Sequence, residues 1–238
     1  MSERFAALPG GIGVSRLRVY DTAAPDGVVG GTPHVHLCCT EGYVVTGGEG
    51  AVQTLGGEGF RETPLRAGTV VWFEPGTVHR LVNGGDLSIV VLMQNSGLPE
   101  AGDAVLTFPP EVLADPEAYA EAAALPDGGA PEADVRGAYR RRDLAVAGFA
   151  ALRSGGPTAL AAFYAAAAAL RRPLLAAWRQ RWADGAGAAA AGTGAQLDAL
   201  ERGEWRYLGG AGVYAVDAPV ERGRLGMCGL LDTYPAAG

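Results

Sequence analysis

The chain carries only three histidines, and their spacing is the first sign of chemistry. His34 and His36 are one residue apart, so in an extended segment both imidazoles leave the same face of the strand. Glu41 follows after enough chain to cross a bulge or strand end and point back. His79 comes from a separate strand, just after the turn Glu74-Pro75-Gly76-Thr77-Val78. Three imidazoles and one carboxylate are a natural donor set for one divalent transition metal, with no thiolate required. A metal that prefers six ligands keeps two positions open, whereas tetrahedral Zn2+ is filled by the same four. Such an ion either polarises a carbonyl as a Lewis acid or holds a substrate and dioxygen side by side. With no fourth histidine as a separate base, proton transfer falls to Glu41, to a tyrosine or to metal-bound water.

Other residues are weaker candidates. Cys38 continues the alternation of His34 and His36, so it is expected to face the interior as a small buried filler close to the metal. Cys39 is expected to face the opposite way. Tyr43 and Gln53 follow Glu41 on strands, where each would place a hydroxyl or amide near a substrate or serve as an ordinary strand residue. Arg136, Arg140, Arg141 and Arg142 form a basic cluster, read as a solvated face, with a gate for an anionic ligand as the sharper alternative.

Two segments carry a resemblance. His34-Val35-His36, Glu41 and Gly48 are spaced as in the first conserved motif of the cupin superfamily. Gly68, Glu74-Pro75-Gly76-Thr77-Val78-His79 and Asn83 resemble the second. The departures are Val28, where the family has glycine, and Glu74, where it has proline; both fall in turns and not on ligands. The resemblance implies a small β-barrel, the double-stranded β-helix, with His34, His36, Glu41 and His79 as metal ligands. It implies Fe2+ first, with Mn2+, Ni2+ or Zn2+ as alternatives, and a homodimer. Glu41 and Tyr43 are then the candidate catalytic groups.

The elements that must position these residues divide the chain in two. Short strands are expected at Leu17–Tyr20, Val35–Cys39, Tyr43–Thr46, Ala51–Leu55, Thr69–Phe73, His79–Val82 and Leu87–Met93. Turns are expected at the glycine runs 47–50 and 56–59, at Pro75-Gly76 and at 83–86. After Met93 the pattern becomes helical. One or two short helices lie within Pro109–Leu125, starting at Asp115-Pro116-Glu117, followed by a linker-like break at 127–131. Helices are expected over Asp143–Arg153 and Pro157–Trp182, with Pro173 kinking or dividing the second. Trp178 and Trp182 share one helix face and read as a docking stripe. Asp184–Gly194 reads as a mobile loop, and Trp205–Leu208, Val213–Val216 and Leu225–Leu231 as terminal strands. The expected architecture is mainly β: a barrel domain over 1–108 and a helical extension with terminal strands over 109–238.

Composition narrows the function classes. The 238 residues contain no lysine, which excludes Schiff-base chemistry, a pyridoxal-phosphate anchor and a Walker lysine. A net charge of −7 argues against a nucleic-acid partner. Cys38, Cys39 and Cys228 form no disulfide framework and suit a reducing compartment. The N-terminus lacks the apolar core of a signal peptide, and the uncharged stretch between Arg153 and Arg171 is short and weakly apolar for a membrane span. A cytoplasmic protein with a small-molecule substrate, and no membrane, is expected. The resemblance favours a dioxygenase on a small oxygenated compound. A sugar or keto-acid isomerase, epimerase or lyase, or a non-catalytic binding protein, is the alternative.

Overall fold

Alternating apolar residues and glycine breaks organise the first half of the chain into antiparallel strands. The computed structural model describes residues 8–125 and 131–235. The first strands are β1 (Gly13–Val19), β2 (His34–His36), β3 (Glu41–Gly56), β4 (Gly59–Arg66), β5 (Val70–Phe73), β6 (Val78–Met93) and β7 (Ala104–Leu106). Helices follow as α1 (Pro110–Leu113), α2 (Pro116–Ala123), α3 (Pro131–Arg171), α4 (Leu175–Trp182) and α5 (Ala188–Glu201). The hairpin β8 (Glu221–Leu225) and β9 (Gly229–Thr233) ends the fold. The strands form one rolled sheet in the order β4-β3-β6-β1-β9-β8, with β5 beside β3 and β2 between β6 and β7. Its path ends at β4 and β8, so it curls into the expected cupin-type barrel without closing.

Two expected turns prove to be bends inside long strands. β3 runs through 47–50 and β6 through 83–86, and the two stay paired from Glu41↔Met93 to Leu55↔Val78, with register shifts between Val45 and Gly50. Glycine and aspartate serve there as bulge residues, with Gly48 at φ 70° and Asp86 at φ 49°. Asn83 Oδ1 accepts from the Gly85 and Leu87 amides and holds the bend. The 56–59 run is the expected hairpin turn, but it leads into β4, a strand too polar to be read from sequence.

The second half differs more. Asp115 caps α2 as expected, its Oδ1 accepting from the Glu117 and Ala118 amides. Of the anticipated break at 127–131, residues 127–130 lie outside the described residues, as do the N-terminal residues 1–7, and Pro131 is the first residue of α3. α3 is interrupted at Gly156 (φ 63°), just before Pro157, and a 3-10 turn at Arg172–Leu174 separates it from α4. Asp184–Gly194 is not a loop but a π-turn leading into α5, because alanine is the best helix former. Trp178 docks alone, its indole donating to the Ala101 carbonyl at 3.0 Å, while Trp182 is half exposed. Trp205–Leu208 and Val213–Val216 are not strands, and Leu225–Leu231 is split by the turn between β8 and β9. β9 pairs with β1, so the tail extends the barrel sheet.

Two larger cores hold these layers. One fills the barrel with Leu17, Val45, Val52, Leu65, Leu81 and Ile89. The other joins Val35, Val78 and Val105 to Phe149, Leu152 and Phe163 of α3. The helix approaches so closely that a Cβ on Gly148 would fall 1.8 Å from the Thr107 carbonyl oxygen, which only glycine permits. The arginine cluster belongs to the same joint and is not a solvated face. Buried Arg142 donates to the Thr22 and Ala23 carbonyls at 2.9 and 3.0 Å, and Arg141 to the Gly226 carbonyl at 2.8 Å. Arg136 and Arg140 alone stay exposed. One helical run, Val135–Glu201, is long and apolar enough to cross a membrane by length and composition.

Candidate metal centre

β2 is only three residues long, and pairing places its residues. His34 lies directly opposite His79 of β6, and His36 emerges on the same face of β2, held from the other side by β7. The Pro75-Gly76 turn delivers β6, its glycine at φ 90° donating its amide to the His36 carbonyl at 2.9 Å. The chain then reverses over 37–40, where Asp103 accepts from the Cys38 amide and Asn95 donates to the Cys38 carbonyl. Glu41 opens β3 and turns inward. One ligand atom from each of His34, His36, Glu41 and His79 falls within 4.8 Å of the others, and all four residues are buried.

The hydrogen bonds on the far side of each ring decide what that point can hold. Nδ1 of His34 faces the Thr32 carbonyl at 2.9 Å and Nδ1 of His79 the Thr77 carbonyl at 3.0 Å. Nδ1 of His36 faces the Asp103 carboxylate at 2.9 Å. Carbonyls and carboxylates accept, so each Nδ1 carries the proton and each Nε2 presents a lone pair inward. In those neutral tautomers, Nε2 of His34 and His79 meet lone pair to lone pair at 3.0 Å. Glu41 Oε2 lies 3.0 Å from His79 Nε2 and 3.5 Å from His36 Nε2, yet receives no hydrogen bond. Four acceptors facing one point repel unless a cation sits among them. The donor set therefore fits a transition-metal ion.

Charge follows the same logic. Burial, then the neighbouring His79 and His36, hold His34 well below its usual value. Burial alone would depress His36 as well, but the Asp103 hydrogen bond and Glu41 overcome it and raise its pKa. Burial pushes Glu41 up, yet His79 and His36 outweigh it and bring its carboxyl down to about 2. Glu41 is thus a carboxylate and a poor proton donor. Tyr43, two residues along the same face of β3, is pushed well above its usual value by burial and by Glu41. Its hydroxyl is buried with no partner among the described residues, and its ring lies 6.5 Å from that of His79. Phe73 packs 4.3 Å from the His79 ring.

One expectation needs correction, one open alternative is decided and one partner lies outside the motif residues. Cys38 is exposed, because the turn at 37–40 breaks the alternation after His36, and Cys39 is the buried one, packed with Leu98 and Trp178. Gln53 donates to Glu62 on an exposed surface and takes no part in the centre. Asp103, fully buried, is a partner that the sequence reading missed. It lies far along the chain from His36, at the end of the turn Pro99–Asp103, where no spacing announces it.

The family model described as the cupin domain matches residues 21–94. No curated protein matches the chain in sequence. Among solved structures, the capsular polysaccharide assembling protein CapF of Staphylococcus aureus is 21% identical over 34% of this chain and 22% of its own, with a TM-score of 0.27. A double-stranded β-helix protein of Klebsiella pneumoniae is 25% identical over 35% of this chain and 64% of its own, at 0.26. A cupin 2 conserved barrel domain protein of Salinispora arenicola is 20% identical over 40% and 70%, at 0.29. The chain thus spans less than two thirds of the first two relatives.

Proposed function

Residues 21–94 of this chain are a cupin domain, and from that premise we propose that the protein is a metal-dependent enzyme acting on a small oxygenated organic compound. His34, His36, Glu41 and His79 hold one divalent ion, iron in our reading, and the reaction is a dioxygenation. The observation that carries this is the convergence of four buried ligand atoms, three imidazole and one carboxylate, within 4.8 Å. Bound there, iron supplies two further coordination positions and a redox couple.

The chain's own residues supply the rest. Glu41 stays anionic and balances the ion's charge. Tyr43 keeps its proton, so its Oη donates a hydrogen bond to a substrate oxygen and does not act as a base. Phe73 walls the site with an apolar ring and excludes water. The ligands are between 0% and 6% exposed, which favours a small substrate. The free thiols of Cys38, Cys39 and Cys228 support a reducing, cytoplasmic setting.

The test is metal analysis of protein purified without chelator or nickel resin, followed by dioxygen-uptake assays with enediols, thiols and catechol-like compounds. Near-stoichiometric iron with substrate-dependent uptake is the expected result. Stoichiometric zinc or manganese with no uptake would overturn the dioxygenase reading and move it to isomerase or lyase chemistry.

A further inference from the structure

Two apolar surfaces of the described chain have no cover. The first is the outer face of the sheet, where register aligns Trp72, Gly42, Leu92 and Val14 in one row. Val70, Val44 and Val90 form the next row. An antiparallel sheet with its core on one side carries polar side chains on the other. Here Trp72 is 69% exposed and Val70 58%. The second surface is the arm from α5 to Val220. No residue of α5 is buried, and Leu200, Trp205, Leu208, Tyr214 and Val220 are each at least half exposed. A helix of this length is marginal without an apolar face to pack on.

Both surfaces meet at one corner. Ala186, at the root of the arm, lies against Gly11, and the arm's far end is fixed where the Val220 amide donates to Thr233, opposite Ser15 of β1. Tethered at both ends, the arm leaves its own sheet face bare. We propose that the arm of one chain lies on the outer β5-β3-β6-β1 face of a second copy, and reciprocally, in a closed two-fold dimer. The dimensions agree. α5 has 14 residues, a length of about 21 Å, and four strands span roughly 15 Å. The arm's exposed Trp205, Tyr207 and Tyr214 alone bring on the order of 400 Å², about half of what each partner of a stable interface buries.

Light scattering on the full chain tests this. One chain is 24.3 kDa, and the expected mass at micromolar concentration is twice that. Trp72→Glu and Leu200→Glu each alter an exposed side chain, so both should keep the wild-type circular dichroism while falling to the single-chain mass. Mixing the two variants restores one intact arm-on-face contact, so the mixture should recover dimer that neither forms alone. A monomeric wild type, a dimer that survives both substitutions, or a mixture that stays monomeric would overturn the proposal. So would a monomer that co-sediments with phosphatidylcholine vesicles, since the arm would then be serving a lipid surface.

Discussion

His34 and His79 face each other across β2 and β6 with their Nε2 atoms 3.0 Å apart, while both Nδ1 protons are held by backbone carbonyls. Strand pairing sets the distance and the Thr32 and Thr77 carbonyls set the tautomers. The two lone pairs are therefore held against each other by the backbone and not by side-chain choice. That arrangement, completed by His36 and Glu41, prepares the site for a cation before one arrives.

Asp103 should set how tightly the cation is held. It is fully buried and accepts from His36 Nδ1 at 2.9 Å and from the Cys38 amide at 2.7 Å. Asp103→Asn should weaken metal binding by roughly 10- to 100-fold, read by competition with a chromophoric chelator. Asp103→Ala should in addition destabilise the fold by about 1–3 kcal/mol, because the Cys38 amide loses its partner. Unchanged affinity in both variants would reduce Asp103 to a structural residue.

Metal affinity should fall on acidification. Burial lowers the His36 pKa, but the Asp103 hydrogen bond and Glu41 raise it, so as pH falls His36 Nε2 takes up a proton that the ion must displace. The same proton stabilises the metal-free fold below the unfolded histidine value, and that stabilisation is lost as pH rises through the raised folded value. Removing the Asp103 charge should move the fall in metal affinity to lower pH. Titrations of both proteins across the histidine range check the shift, and identical pH profiles would contradict it.

Tyr43→Phe separates function from stability. The hydroxyl is buried without a partner among the described residues, so its removal should leave stability within about 1 kcal/mol of wild type. Metal content should stay the same while turnover drops on the order of 100-fold. A fully active phenylalanine variant would remove Tyr43 from the chemistry.

The residue after His79 gives a prediction away from the metal. Arg80 is 1% exposed and its guanidinium pairs with Asp26 in the segment before β2. Burial would raise the Asp26 pKa, but the Arg80 hydrogen bond and charge lower it below 3.8. The pair's contribution is therefore present above the unfolded value and lost as pH falls through the folded one. Asp26 is partly exposed, so screening trims the effect. Asp26→Asn should lose about 1–2 kcal/mol at neutral pH, with the difference from wild type closing below pH 3.8 in urea melts. A difference that persisted in acid would place the effect elsewhere.

How much was legible depended on how local each signal was. His34 and His36 share a strand face, and the Pro75-Gly76 turn marks the approach to His79, so the cluster could be read from spacing. Glycine runs at 47–50 and 83–86 read as turns because turn and bulge use the same residues, and only the long β3–β6 pairing separates them. Cys38 followed from an alternation that ends one residue too early, at the reversal held by Asp103 and Asn95. Asp103 itself reaches His36 through tertiary packing, which leaves no mark on spacing. The Ala/Gly run over 184–194 was misread because its glycines outweighed alanine's helix propensity.

The central claim is that four side chains hold one ion, and metal stoichiometry of the wild type beside His79→Ala tests it most directly. Wild-type protein purified without chelator should carry about one equivalent of transition metal per chain. His79→Ala should carry almost none and melt at a lower temperature, because the ion no longer stabilises the fold. A metal-free wild type, or a His79→Ala protein that keeps a full equivalent at unchanged affinity, would contradict the account.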